Sequence, residues 1–281
     1  MKLPSTALGC LVFLAVASFA QNRPKNSDIE NIGTRDITAG TFNQVSLDKE
    51  VAIGRALAAE IERQVQLNND PAVNAYVNRL GQNLVMNSDA RRFVVGFKVV
   101  ESPDFDTQVV PGGTVYVTTG TIAALDNEAE LAFVLSHQIA HIAARHATQQ
   151  LTKGQFTNFN NTPLIFQGGA GGFSIRQTSD QLVPVELLQI ERQNAAEADF
   201  LGLQYLYKAG YDPSAAITFL QKVQAREAAT TSNMRRLFMS VPPAIDRIAA
   251  ARAEMDSILP ARTQNVLTTP EFDATKASLK K

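Results

Sequence analysis

Residues 135–146 read Leu135-Ser136-His137-Gln138-Ile139-Ala140-His141-Ile142-Ala143-Ala144-Arg145-His146, and they hold all three histidines of the 281-residue chain. His137 and His141 are four residues apart, so on an α-helix both imidazoles lie on one face. The residues before them, from Glu130 to Ser136, have the apolar spacing of a helix that is buried on the side of the pair. The stretch therefore predicts a buried helix on which two imidazoles point the same way.

Two histidines at this spacing are typical of the H-E-x-x-H zinc helix, in which both bind the metal and the intervening Glu is the general base. The base position here holds Gln138. An amide cannot take up a proton near neutral pH. A positioned general base contributes about 10²–10⁴-fold to the rate of such reactions. The motif thus predicts His137 and His141 as residual metal ligands beside a missing base.

The first twenty residues have the pattern of a secretory signal peptide: Lys2, an apolar run over 7–17 and the small-x-small site Ser18-Phe19-Ala20. The single cysteine, Cys10, lies inside this segment, so the mature chain would have no thiol for a disulfide or a metal. We therefore expect an exported protein, located in the periplasm or associated with the cell envelope.

Composition excludes some partners. The 26 basic and 27 acidic residues are nearly balanced and form no basic cluster, so nucleic acid is not expected to bind. No segment after the signal is long and apolar enough for a membrane span, which leaves peripheral membrane contact open.

The expected organisation is a signal peptide over 1–20, an extended lead-in over 21–45, one domain over 46–258 and a polar tail over 259–281. The fold class predicted for the domain is α+β, mostly helical, with a small β-sheet packed beside the His helix. A glycine-rich stretch over 153–182 is either a flexible connection or a lid. The predicted helices cover 46–67, Asp70-Pro71 to Met86, 121–125, 128–152, 186–209, a segment from Asp212-Pro213, and Pro242-Pro243 to Ile258; the predicted strands cover 93–100 and 114–119.

Over about 46–255 the chain resembles the gluzincin zinc metallopeptidases of the HtpX, BepA and LoiP type, which include the CAAX prenyl endopeptidases. The resemblance implies a minigluzincin-like fold and a role in envelope protein quality control. It rests on blocks that occur in the family's order: Pro111-Gly112-Gly113, Thr118-Thr119-Gly120, Glu130-Leu131-Ala132 through His146, Glu197-Ala198-Asp199 with Leu201-Gly202, and Ala209-Gly210-Tyr211-Asp212-Pro213.

The resemblance also implies site residues, and several of them are replaced here. The family's third zinc ligand, a Glu, falls on Ala195, and its transition-state His falls on Val241. Asp199, which orients a ligating His from outside the metal shell, is kept. The Asn-Ala before Pro-Gly-Gly is Asp106-Thr107. The family's substrate strand is assigned to Val115, Tyr116, Val117 and Thr118, as an edge that pairs with an extended polypeptide.

Two carboxylates are candidates to replace the missing ligand. Glu197 is two residues from Ala195, which on a helix turns it away from the His pair. Glu191 is four residues before Ala195, on the correct face but about 6 Å along the axis. Either would need a distorted helix. His146, five residues after His141, is expected to be a hydrogen-bonded structural histidine rather than a ligand.

Three functions remain open from sequence. The first is an exported protein with a degenerate zinc site that binds unfolded or membrane-derived polypeptides without cleaving them. The second is a weak zinc metalloendopeptidase in envelope quality control, with Glu191 or Glu197 as substitute ligand. The third is a purely structural domain with packed histidines. Zinc is accordingly expected to bind weakly or not at all.

Overall fold

A computed structural model describes residues 25–152, 185–230 and 241–279, so the predicted signal peptide and glycine-rich stretch lie outside the described residues. The predicted α+β class is confirmed, because helices dominate and a small sheet lies against them. None of the described helices is both long and apolar enough to span a membrane. The helices are α1 (Leu47–Gln64), α2 (Pro71–Met86), α3 (Thr119–Ala124), α4 (Glu128–Ala144), α5 (His146–Thr152), α6 (Val185–Lys208), α7 (Ser214–Thr230), α8 (Ala244–Ser257) and α9 (Pro270–Ser278).

The sheet differs from the sequence prediction. Its strands are β1 (Gly96–Val100), β2 (Thr107–Val110) and β3 (Thr114–Thr118), in the order β1-β3-β2. β3 pairs parallel with β1 and antiparallel with β2, so it is the central strand. The assignment of Val115, Tyr116, Val117 and Thr118 as a substrate edge is therefore wrong. Both outer strands, β1 and β2, are edges of the sheet, and β2 was not predicted from the sequence.

The predicted long His helix is also interrupted. α4 ends at Arg145, which has a left-handed backbone with φ of 56°, and α5 begins at His146. The Arg145 side chain explains this conformation. Its Nε lies 2.7 Å from the Glu50 carboxylate and its Nη2 donates to the Val45 carbonyl. These contacts hold a conformation that costs a non-glycine residue about 1 kcal/mol, and they turn His146 back toward α4.

α4 is the centre of the core, with every residue except His141 buried. α6, α2 and α7 pack against it. The segments predicted to lie outside the domain also join this core. Ile29, Ile32 and Ile37 of the lead-in are buried, and Phe272 of α9, in the predicted polar tail, is 0 % exposed. The lead-in is fastened by Arg35, whose guanidinium pairs with the buried Asp89 carboxylate.

Candidate functional site

The site lies where α4 and α6 come into close contact. A Cβ at Gly202 of α6 would lie 3.0 Å from the backbone nitrogen of His137, so only glycine allows the two helices to approach this far. This contact brings Asp199, one turn before Gly202, to the His137 ring. His137 is 0 % exposed, whereas His141 is partly exposed.

His137 is held by a buried ion pair. Its Nδ1 lies 2.9 Å from Asp199 Oδ1, and Arg247 of α8 contacts both carboxylate oxygens, at 2.6 Å from Nε and 2.7 Å from Nη2. Burial opposes ionisation of Asp199, but the charge and hydrogen bonds of Arg247 hold the pKa of that carboxyl well below its usual range. An ionised Asp199 accepts a hydrogen bond from the Nδ1–H of His137. The free lone pair of the neutral ring is then on Nε2. Arg247 lies 48 residues from Asp199 in sequence, and no spacing pattern could have identified it.

The other two histidines continue this chain of contacts. His146 Nε2 lies 3.2 Å from the Glu197 carboxylate, and His146 Nδ1 lies 2.9 Å from His141 Nδ1. The hydrogen bond from His146 lowers the pKa of Glu197. If all three rings are neutral, His146 donates to Glu197 through Nε2 and accepts from His141 Nδ1 through its own Nδ1. His141 then also has its lone pair on Nε2.

The two lone pairs face each other, because His137 Nε2 and His141 Nε2 are 3.2 Å apart. Burial lowers the pKa of His137, and burial together with the neighbouring imidazoles lowers that of His141 further. The pair therefore favours the neutral state. Two such nitrogens can share a cation, and the groups that fix their orientation are in place.

Within 25–152, 185–230 and 241–279, this arrangement has no third ligand. Ala195 is 2 % exposed and has no donor atom in its side chain. Glu197 contacts His146 rather than the pair. Among the described residues, the buried Oε2 of Glu191 has no hydrogen-bond partner, and no three His, Cys, Asp or Glu side chains converge as a metal site. The residues present therefore do not fit a catalytic zinc centre, which takes three protein ligands.

Gln138, at the base position, belongs to a buried contact between α4 and β2. Its Nε2 donates to Thr107 Oγ1 at 3.1 Å, and the two residues are 0 % and 3 % exposed. The family resemblance places a Glu and an Ala at these two positions, and an Ala has no side-chain atom that can accept the bond. The replacement at Thr107 was visible in the sequence, but its partner was not, because β2 was not predicted.

Val241, at the position of the family's transition-state His, is 2 % exposed and apolar. It precedes α8, where Glu227 accepts from the backbone nitrogen of Ala244. Its side chain has no hydrogen-bond donor. The position therefore packs against the core and cannot stabilise a developing negative charge.

Glu191 gives a testable pH dependence. Burial raises the pKa of its carboxyl to about 7, against 4.5 for an exposed Glu. The folded state then holds this proton more tightly than the unfolded chain, so stability falls as the pH rises between those two values. Glu191→Gln should be about 3 kcal/mol more stable than the unmodified protein near pH 8, and equal to it near pH 4. Urea unfolding at several pH values measures this.

The matched control for this effect is Glu197→Gln. The pKa of Glu197 is lowered, so loss of this carboxylate should reduce stability above the unfolded pKa and leave it unchanged in acid. A stability difference for Glu191→Gln that does not change with pH would show that its carboxyl is not buried in the uncharged form.

Comparison with known proteins finds sequence similarity over the part of the chain that carries this site. The model of Peptidase family M48 matches residues 71–255. The chain is 28% identical over 236 residues to the beta-barrel assembly-enhancing protease of Yersinia pestis, covering 80% of this chain and 48% of that protein. It is 26% identical over 241 residues to the protein of the same name from Escherichia coli (strain K12), covering 82% and 48%. It is 30% identical over 190 residues to the mitochondrial metalloendopeptidase OMA1 of Schizosaccharomyces pombe, covering 66% and 55%. The chain spans about half the length of the curated relatives it matches.

Proposed function

Because the chain belongs to peptidase family M48, we propose that it uses a peptidase fold to hold extended polypeptides without hydrolysing them. The observation that carries this proposal is the buried bond from Gln138 to Thr107. In this bond the side chain at the base position contacts β2 instead of a water at the metal site. With Ala195 in place of the third ligand, the part of the chain that the structure describes offers neither a base at this position nor a complete metal site.

The binding element in this proposal is the outer edge of β2. The backbone nitrogen of Thr118 donates to the Asp106 carbonyl, so Asp106 and Thr118 form a hydrogen-bonded pair. Such pairs occur at every second residue of an antiparallel ladder. The main-chain groups of Gln108 and Val110 therefore also bond to β3. Val109 therefore directs its N–H and C=O away from β3. Within the described residues β2 pairs with no other strand. Val109 is 7 % exposed in the free protein, so a client has to displace neighbouring groups to reach its main chain.

The client class follows from this geometry and from the relatives. An unpaired strand edge binds an extended chain through its main-chain groups. The relatives from Yersinia pestis and Escherichia coli are named for beta-barrel assembly, and the precursors of such barrels are rich in β-forming segments. We place the protein in the cell envelope, where it would hold unfolded or membrane-derived polypeptides for quality control.

The proposal predicts loss of peptide binding when the β2 edge is blocked. Val109→Pro removes the outward N–H and leaves the bonds to β3 in place, so affinity for a fluorescent peptide of alternating Val and Thr should fall about tenfold or more. Fluorescence anisotropy measures this. Gln108→Pro is the matched control, because it removes a bond to β3 and should lower the melting temperature instead.

A second peptide keeps the test independent of protein folding. If alternate amides of the peptide are N-methylated, it cannot pair with the strand edge, and its affinity for the unmodified protein should fall by a similar factor. Equal affinity for the methylated and unmethylated peptides would remove β2 from the account.

One observation favours the alternative of a weak zinc metalloendopeptidase. The two Nε2 atoms converge at 3.2 Å, and Asp199, which orients the His137 ring and pairs with Arg247, is present. Under that alternative the carboxylate of Glu191 or Glu197 must move to within coordination distance of His137 and His141. The purified protein would then hold near-stoichiometric zinc and cleave casein in a chelator-sensitive manner.

A further inference from the structure

The turn between β2 and β3 joins two exposed parts of the surface. A Cβ at Gly112 would lie 2.9 Å from Val51 Cα, so α1 packs directly on the turn. A Cβ at Gly113 would lie 2.6 Å from the Val94 carbonyl oxygen. The glycines therefore bring α1 and the segment entering β1 together at this end of the sheet, and each side presents apolar residues.

These apolar side chains face outward. Val94 is 91 % exposed, Leu47 is 49 % exposed and Val51 is 37 % exposed. Leu47 and Val51 are one helical turn apart and share a face of α1. We call Leu47, Val51 and Val94 the turn patch. Burial of such side chains is favourable by roughly 1.5–3 kcal/mol each, so a surface that covers all three gains free energy from the contact.

Three exposed arginines lie close in sequence to the turn patch; the guanidinium of Arg91 lies beside Gly33 and that of Arg92 lies over the Phe93 ring. Arg91 and Arg92 precede Val94 and are exposed, and Arg55 follows Val51 by one helical turn. The exposed carboxylate on that side of α1 is Asp48. Asp36 lies close enough to Arg92 and Lys25 to feel their charges. Glu50 is buried against Arg145 and adds no surface charge. Cations exceed anions around the patch.

We propose that the turn patch docks the protein on an anionic phospholipid surface. Apolar side chains enter the interface between headgroups and acyl chains, and arginines bind lipid phosphates. The surface of an anionic membrane attracts each basic residue near it. This combination fits a bilayer surface better than a peptide strand, because the patch exposes side chains and no unpaired β-ladder. The inference does not depend on binding at β2.

The experiment is co-sedimentation of the purified protein with vesicles of phosphatidylcholine alone or mixed with equal parts of phosphatidylglycerol. We expect binding to the mixed vesicles and little binding to phosphatidylcholine. Arg91→Gln combined with Arg92→Gln should weaken binding to mixed vesicles about thirtyfold. Val94→Asn should weaken it about tenfold, because it removes apolar burial without changing charge. Both sites are exposed, and an unchanged melting temperature verifies folding.

Matched controls lie on α8, which packs on α6 and α7. Ile245 is 56 % exposed and Arg252 is exposed, so Ile245→Asn and Arg252→Gln should leave vesicle binding unchanged. Failure of the unmodified protein to bind mixed vesicles would overturn the inference. So would equal loss from the control variants, or self-association of the free protein that Val94→Asn abolishes, which would assign the patch to a second copy of the chain.

Discussion

Arg247→Met is expected to lower the free energy of unfolding by about 3–5 kcal/mol, because it leaves a buried carboxylate without its counter-charge. Arg247 is 3 % exposed and contacts both oxygens of Asp199. The Asp199 carboxylate in turn fixes the His137 ring. The same variant should therefore raise the pKa of the Asp199 carboxyl and weaken the hydrogen bond at His137 Nδ1. Urea unfolding measures the first effect and the nitrogen chemical shifts of His137 measure the second.

The control for Arg247 is on the same helix. Arg252→Met removes an exposed arginine of α8, and it should change stability by less than about 0.5 kcal/mol. Combining Arg247→Met with Asp199→Asn should recover much of the loss, since no buried charge then lacks a partner. A loss below about 1 kcal/mol for Arg247→Met would mean that solvent reaches Asp199 and that the pair does not fix the His137 ring.

The helices that the sequence predicted well have their signals in adjacent residues. Asp70 followed by Pro71 predicted the start of α2, and Asp70 indeed accepts from the backbone nitrogens of Ala72 and Val73. Ser46 caps α1 in the same way. Such signals act within one helical turn, so a single sequence displays them completely.

The features that the sequence did not predict depend on distant contacts. The break at Arg145 is fixed by Glu50, 95 residues earlier in the chain, and no local pattern distinguishes it from an ordinary helical arginine. β2 has only four residues and its pairing partner lies on β3. An edge strand and a central strand with similar apolar content cannot be told apart until the pairing is known. For this reason the sequence analysis assigned β3 as an edge, although it is the central strand.

The site shows the same division. The His pair on α4 could be found from spacing along a helix, and the missing Glu at Ala195 from the family resemblance. The partners of those residues could not, because Thr107 and Arg247 belong to other elements. These partners change the interpretation of Gln138 most. On sequence it is a lost base, and in the structure it is part of a buried contact.

Gln138→Glu, Ala195→Glu and Val241→His together are expected to restore near-stoichiometric zinc and chelator-sensitive casein cleavage, with a rate gain of at least about 10²-fold. The His pair already has its orienting partners, so the third carboxylate supplies the missing ligand. Thr107 tolerates the new base, because its hydroxyl can donate to a carboxylate as well as accept from an amide. Metal analysis of the purified variant and a casein assay with and without chelator measure the two effects.

The partial variants separate metal binding from catalysis. Ala195→Glu alone should bring zinc without cleavage, because the base is still absent, whereas Gln138→Glu alone should bring neither. Val241 is 2 % exposed, so a larger imidazole there strains the core. Ala195 is equally buried, so the melting temperature of Gln138→Glu with Ala195→Glu is measured first, and that variant is the reference for zinc content once it is shown to fold. A folded triple variant without zinc would show that His137 and His141 are not a ligand pair. Stoichiometric zinc and casein cleavage in the unmodified protein would contradict the non-catalytic proposal itself.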